Sequence, residues 1–80
     1  MGVDQDVIAI RGLRSAIESA GLMACVWYTT MSRLAAMTGW YGWASYGGHN
    51  GFIEVPLSDA REMLRQAEKE LANKVAQALS

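Results

Sequence analysis

The chain has few of the residues that hold very small domains together by covalent or metal bonds. Its 80 residues include one cysteine, Cys25, and one histidine, His49. A lone cysteine excludes an internal disulfide, and one Cys with one His cannot supply the clustered ligands of a zinc finger. We therefore expect no cofactor and no metal. Stability must come from a hydrophobic core, which is thin in a chain of this length.

Charge is scarce in the middle of the chain. The formal net charge is -1, which gives neither long-range attraction to a nucleic-acid backbone nor a strongly acidic surface. Between residues 19 and 53 the only charged side chain is Arg33. Glycines interrupt this region too often for a membrane span, and Asp4 and Asp6 stand where a signal peptide carries basic residues. We expect a cytoplasmic protein that does not bind membranes.

Helical periodicity marks the N-terminal segment. Asp4 is a candidate N-cap with Asp6 near the positive end of the helix dipole, and Gly21 is a candidate C-terminal stop. The apolar stripe of this predicted helix is Val7, Ile10, Leu13 and Ile17. Its other side carries the small residues Gly12, Ser15, Ala16 and Ser19. These are either simply exposed or allow a second element to approach the backbone closely.

The segment from Leu22 to Gly39 is ambiguous between helix and strand. A helical face would consist of Met23, Trp27, Met31 or Thr30, Leu34 and Met37. The run from Val26 to Thr30, however, contains residue types that prefer strands, so a strand over 23–30 is the alternative. We predict a helix here, apolar on almost all sides and hence buried on both.

Beyond it, the sequence predicts a β-hairpin followed by a third helix. The strands would be 40–46 and 52–55, connected through Asn50-Gly51, and Pro56 would end the second strand. Ser58 or Asp59 would cap the last helix, in which Glu70 and Lys74 form an ion pair one turn apart. The stripe that predicts this helix is Ala60, Leu64, Ala67, Leu71, Val75 and Ala78. Residues 1–80 are thus expected to form one compact α+β domain, helix-dominated, with the order helix-helix-β-hairpin-helix.

No catalytic group can be assembled from these residues. Cys25 lies among apolar neighbours, which predicts a buried, inert thiol, and His49 lies in a glycine-rich turn that should be exposed. Asp4 and Asp6 are interpreted as helix-start residues, and Glu54 is expected to point outward from its strand. Gly47-Gly48 lacks the spacing and the lysine of a phosphate-binding loop. We therefore expect a protein that is not an enzyme.

The strongest functional signal is an aromatic cluster. Its members and the adjoining turn residues, taken together as the predicted partner-binding site, are Trp40, Tyr41, Trp43, Tyr46, His49 and Asn50. Trp and Tyr are common where binding energy is concentrated, although they are also ordinary core residues. If 40–46 is a strand, its two faces cannot both be buried by so small a domain, so one Trp or Tyr should be largely exposed.

A secondary candidate is a basic ridge on the last helix. Arg61, Arg65 and Lys69 follow at four-residue intervals. Such a ridge is usually just solvated, and otherwise suits an acidic partner surface or a phosphate backbone.

These observations favour a small interaction protein that binds another macromolecule, and we expect this partner to be a protein or ribonucleoprotein complex. Phage-encoded inhibitors of bacterial defence, of the anti-CRISPR kind, are often short, single-domain and free of motifs, and we expect this class. One alternative is a nucleotide or nucleic-acid binder that stacks bases on Trp40, Trp43 or Tyr46, although nucleic acid is not favoured. Another is a homo-oligomeric structural subunit.

Overall fold

The computed structural model describes residues 2–79, which form three helices and a small sheet. The order is α1 (Gly2–Glu18), β1 (Met23–Trp27), α2 (Tyr28–Thr38), a 3₁₀ helix (Gly42–Ser45), β2 (Gly48–His49), β3 (Phe52–Pro56) and α3 (Leu57–Leu79). The sheet is antiparallel with the strand order β1-β3-β2, so β1 and β2 are its edges. The predicted helix-dominated α+β class is confirmed.

The second predicted helix divides into a strand and a shorter helix. Residues 23–27 pair with β3 as β1, and α2 begins only at Tyr28. The helical prediction was wrong over this stretch because its strand-preferring residues have β3 beside them to pair with. The predicted stop at Gly39 is confirmed, since this residue takes φ 77° and its N–H donates to the Ala35 carbonyl.

The predicted first strand of the hairpin is also wrong. Residues 42–45 form a 3₁₀ helix, and β3 pairs instead with the two residues of β2 and with β1. The connection at Asn50-Gly51 is as predicted: both residues have positive φ, 54° and 84°, and they join His49 directly to Phe52 across the ladder. This is the geometry of a two-residue type I′ turn.

Helix α3 begins at Leu57, ahead of the predicted caps, and is rotated slightly from the predicted face. Its buried residues are Ala60, Met63 and Ala67. Leu64 and Leu71 are only partly buried against the core, and the helix is exposed from residue 72 to residue 79. The predicted stripe therefore follows the border of the buried face, and its last two members, Val75 and Ala78, lie in solvent.

The core lies between the helices and one face of the sheet. It is built from Ala9, Ile10, Leu13, Ala24, Val26, Met31, Leu34, Ala35, Trp43, Val55, Ala60, Met63 and Ala67. On β1 only Ala24 and Val26 are buried, and they are paired with Val55 and Ile53 of β3. The alternate residues of β1, Met23, Cys25 and Trp27, therefore face away from the core.

A buried ion triad joins the three helices. The Asp6 side chain on α1 is 1 % exposed and accepts a hydrogen bond from Arg33 Nε of α2 at 2.8 Å and another from Lys74 Nζ of α3 at 2.7 Å. Burial by itself would raise the pKa of Asp6, but the hydrogen bonds and charges of Lys74 and Arg33 outweigh it and lower the pKa. Asp6 is thus a tertiary anchor more than a helix-start residue, and Lys74 pairs with it, contrary to the prediction of a Glu70 partner.

Candidate functional site

The face of the sheet that points away from the core carries three rows of paired side chains. We call it the outer face. Strand register places Trp27, Phe52 and His49 in one row across all three strands. Cys25 and Glu54 form the second row, and Met23 with Pro56 forms the third. Because directly paired residues share a face of a sheet, these seven side chains lie on one surface.

Two aromatic rings form the centre of the first row. Trp27 and Phe52 stack with their ring centroids 3.9 Å apart and their planes inclined by 28°. Trp27 nevertheless remains 54 % exposed, and Met23 and Cys25 on the same strand are exposed too. The stack packs one part of the indole on Phe52 and leaves much of the rest of its surface in water.

Trp43, by contrast, belongs to the scaffold. It is 3 % exposed, its indole N–H donates to the Trp40 carbonyl at 3.0 Å, and it packs against Tyr28 in a T-shaped arrangement with the ring centroids 5.5 Å apart. The 3₁₀ turn places this ring in the core. In this fold Trp43 has almost no surface to offer a partner or a base.

Trp40 and Tyr46 are half-buried and packed against the core. Their rings meet edge to face at 6.3 Å. The Tyr46 hydroxyl donates a hydrogen bond to Asp59 at the start of α3, and this hydrogen bond, with smaller effects of desolvation and of the Asp59 charge, raises the pKa of Tyr46. These two residues hold the 3₁₀ segment against α3.

The remaining predicted contact residues are exposed, but they do not form one cluster. Tyr41 is 61 % exposed ahead of the 3₁₀ helix and belongs to none of the three strands. Asn50 occupies the exposed turn. His49 is exposed as predicted, and it alone among the predicted contact residues lies in the row with Trp27 and Phe52.

Trp27 and Phe52 are absent from the sequence-based site, although a signal for them exists. Under the strand alternative for 23–30, alternation puts Met23, Cys25 and Trp27 on one face. The same alternation explains why the burial predicted for Cys25 is wrong: its apolar neighbours Ala24 and Val26 turn inward while Cys25 turns outward.

The thiol of Cys25 and the imidazole of His49 do not form a nucleophile and base pair. They lie on the two edge strands with β3 between them and in different rows, so their backbones are separated by more than two strand spacings, about 9 to 10 Å. Hydrogen-bond reach is about 3 Å, so no proton can pass directly between them. In the described part of the chain, no group of three or more His, Cys, Asp or Glu side chains is placed to hold a metal ion.

The predicted basic ridge on α3 is exposed but partly neutralised. Arg65 forms an ion pair with Glu62, whose pKa is lowered by hydrogen bonds from Arg65 and Gln66. Arg61 and Lys69 are exposed on the same helix. The ridge therefore presents less net charge than three basic residues suggest.

Comparison of the chain with protein-family models, curated proteins and solved structures found no match. Among residues 2–79, no helix is long and apolar enough to cross a membrane.

Proposed function

We propose that this protein is a non-enzymatic interaction protein that binds another macromolecule, a protein or ribonucleoprotein complex, through the outer face of its sheet. The observation that carries the proposal is the Trp27 ring, stacked on Phe52 yet half in solvent. A large, oriented aromatic side chain binds with little loss of entropy, and the surrounding Met23 and Cys25 add apolar area. Inhibition of a larger complex, as by phage-encoded inhibitors, is the form of this function that the small size favours.

The proposal is tested by comparing two exposed aromatic residues. The full chain is used to capture its partner from an extract of the source cells, and the affinity of the captured partner is then measured by titration for the wild type, Trp27→Ala and Tyr41→Ala. Loss of a hot-spot tryptophan should weaken binding by about 2 kcal/mol or more, whereas Tyr41→Ala should change it by less than about 0.5 kcal/mol.

Circular dichroism and thermal unfolding of both variants show whether the fold is retained. An equal loss in the two variants would extend the interface to the 39–46 segment, and a larger loss for Tyr41→Ala would move it there. A Trp27→Ala protein that is folded and binds normally would end the proposal.

Base stacking is the second candidate, favoured by the same exposed indole. Flat aromatic side chains on a sheet are the usual platform for single-stranded nucleic acid. The strands supply no lysine or arginine for the phosphates, and Glu54 lies in the middle of the face, so we rank it below protein binding. Quenching of tryptophan fluorescence by mononucleotides or by a single-stranded oligonucleotide, lost in Trp27→Phe, would reverse this ranking.

A further inference from the structure

The outer edge of β1 carries backbone groups that the sheet leaves unpaired. β1 has β3 on one side only. The Tyr28 N–H donates to the Gly51 carbonyl at 2.7 Å, which fixes the alternation of the ladder so that even-numbered residues of this segment bond to β3. The N–H groups of Met23, Cys25 and Trp27 and the carbonyls of Met23 and Cys25 therefore point away from β3.

Helix α1 and this edge enclose a groove of about 350 Å³. The helix contributes small residues, Gly12, Ser15, Ala16, Ser19 and Ala20, and the sheet contributes Met23, Cys25, Val26, Trp27 and Phe52, with Thr30 from α2. None of the described residues that line it is charged. The small residues on α1 thus leave room beside the strand edge. Close approach of another element is one of the two roles that the sequence predicts for them.

Apart from α1, which stands across the groove from it, the edge lacks the protection that natural monomers give to exposed strands. Lysines, prolines, bulges and very short strands normally prevent another chain from pairing with such edges. β1 is five residues long, Met-Ala-Cys-Val-Trp, and has none of these devices, whereas the opposite edge is formed by only two residues of β2. β1 is therefore the place where the sheet can be extended.

We propose that the groove between α1 and β1 binds an extended, uncharged segment of a partner protein, which adds to β1 as a further strand. This inference rests on the proposed function and names the part of the partner that is recognised. Hydrogen-bonding groups at every second residue match an extended polypeptide backbone. Uncharged walls favour an uncharged segment, because a charged side chain would lose hydration there without finding a partner. A groove walled on both sides suits one slender strand better than a second folded copy, which would bring its own α1 against this one.

The test starts from a displayed library of random peptides of about seven residues, long enough to cover the edge at about 3.3 Å per residue. Selection against the folded full chain should enrich uncharged, strand-preferring peptides. Titration of a selected peptide into the ¹⁵N-labelled protein should shift the amides of Met23, Cys25 and Trp27 most. N-methylation of the peptide at the residues that face β1 should weaken binding at least about tenfold, because each methyl removes a ladder hydrogen bond.

Variants on α1 provide the matched comparison. Ser15→Trp fills the groove from an exposed helix position and should lower the affinity for the peptide about tenfold or more. Two controls should leave this affinity within about twofold: Ser15→Ala, which leaves the groove open, and Glu18→Trp, which places the same ring outside the groove lining. Failure to select any peptide, insensitivity to both Ser15→Trp and N-methylation, or light scattering that shows a second copy occupying the edge would each overturn the proposal. If Trp27→Ala weakens binding of the native partner but Ser15→Trp does not, the groove proposal is wrong while the proposal that the partner binds the outer face is retained.

Discussion

At the scale of single residues, Asp6 is the side chain that connects all three helices. Its carboxylate is buried with two cations that are themselves about half exposed, Arg33 and Lys74. Asp6→Asn would remove the buried negative charge that both cations contact and bury a neutral amide in the same place. We expect a loss of about 3 kcal/mol in the free energy of unfolding, measured by urea denaturation.

Asp4→Asn is the control, because Asp4 is an exposed acid in the first turn of the same helix. It should cost less than about 0.5 kcal/mol. Equal effects of the two changes would mean that Asp6 acts only through the helix dipole, as its sequence position suggests. The sequence could not reveal the triad, since the partners lie 27 and 68 residues further along the chain and no local pattern relates them.

At the scale of elements, the predicted helices were recognised where one face is apolar over several turns. The first and third helices have such a face, and their existence follows from periodicity alone. The 23–38 segment was misassigned because helix and strand divide it at Trp27, a boundary that depends on β3 being available as a partner. The aromatic 40–46 segment was misassigned because aromatic residues suit a 3₁₀ turn that packs one ring into the core as well as they suit a strand.

The face of α3 gives a quantitative prediction. Met63 is 2 % exposed, while Leu71 is only partly buried near the point where the helix leaves the core. Met63→Ala should therefore cost about 2 to 4 kcal/mol of unfolding free energy, and Leu71→Ala about half of that. Urea denaturation of the two variants checks it, and a larger loss for Leu71→Ala would restore the face expected from the sequence.

Strand alternation on β1 predicts how its thiol reacts. Cys25 points outward and should be labelled by a thiol reagent in the native protein nearly as fast as in the unfolded one. The matched control moves the thiol by one residue, in Cys25→Ser with Ala24→Cys, where position 24 is fully buried and labelling should be slowed by the folding equilibrium. Slow labelling of the wild type would place β1 in the opposite register.

At the scale of the whole molecule, the triad makes stability depend on acid. The folded pKa of Asp6 is lowered below its unfolded value of about 3.9, so the folded state binds fewer protons than the unfolded state as the pH falls. The stabilisation from Asp6 is complete above about pH 5 and is lost as the pH drops through the unfolded and then the folded pKa. Urea denaturation between pH 7 and about pH 2 should show this loss in the wild type and a smaller one in Asp6→Asn. Parallel pH profiles of the two proteins would contradict the assignment.

The same ion triad has a consequence for synthesis on the ribosome. Asp6 leaves the exit tunnel early, while Lys74, which α3 must carry back to it, is made 68 residues later. Until α3 has emerged, docking α1 on α2 would bury a carboxylate with only one of its two cations, a state disfavoured by desolvation. We therefore expect the three helices to dock together only once α3 has emerged, and a nascent chain that still lacks α3 to keep α1 undocked and open to chaperones.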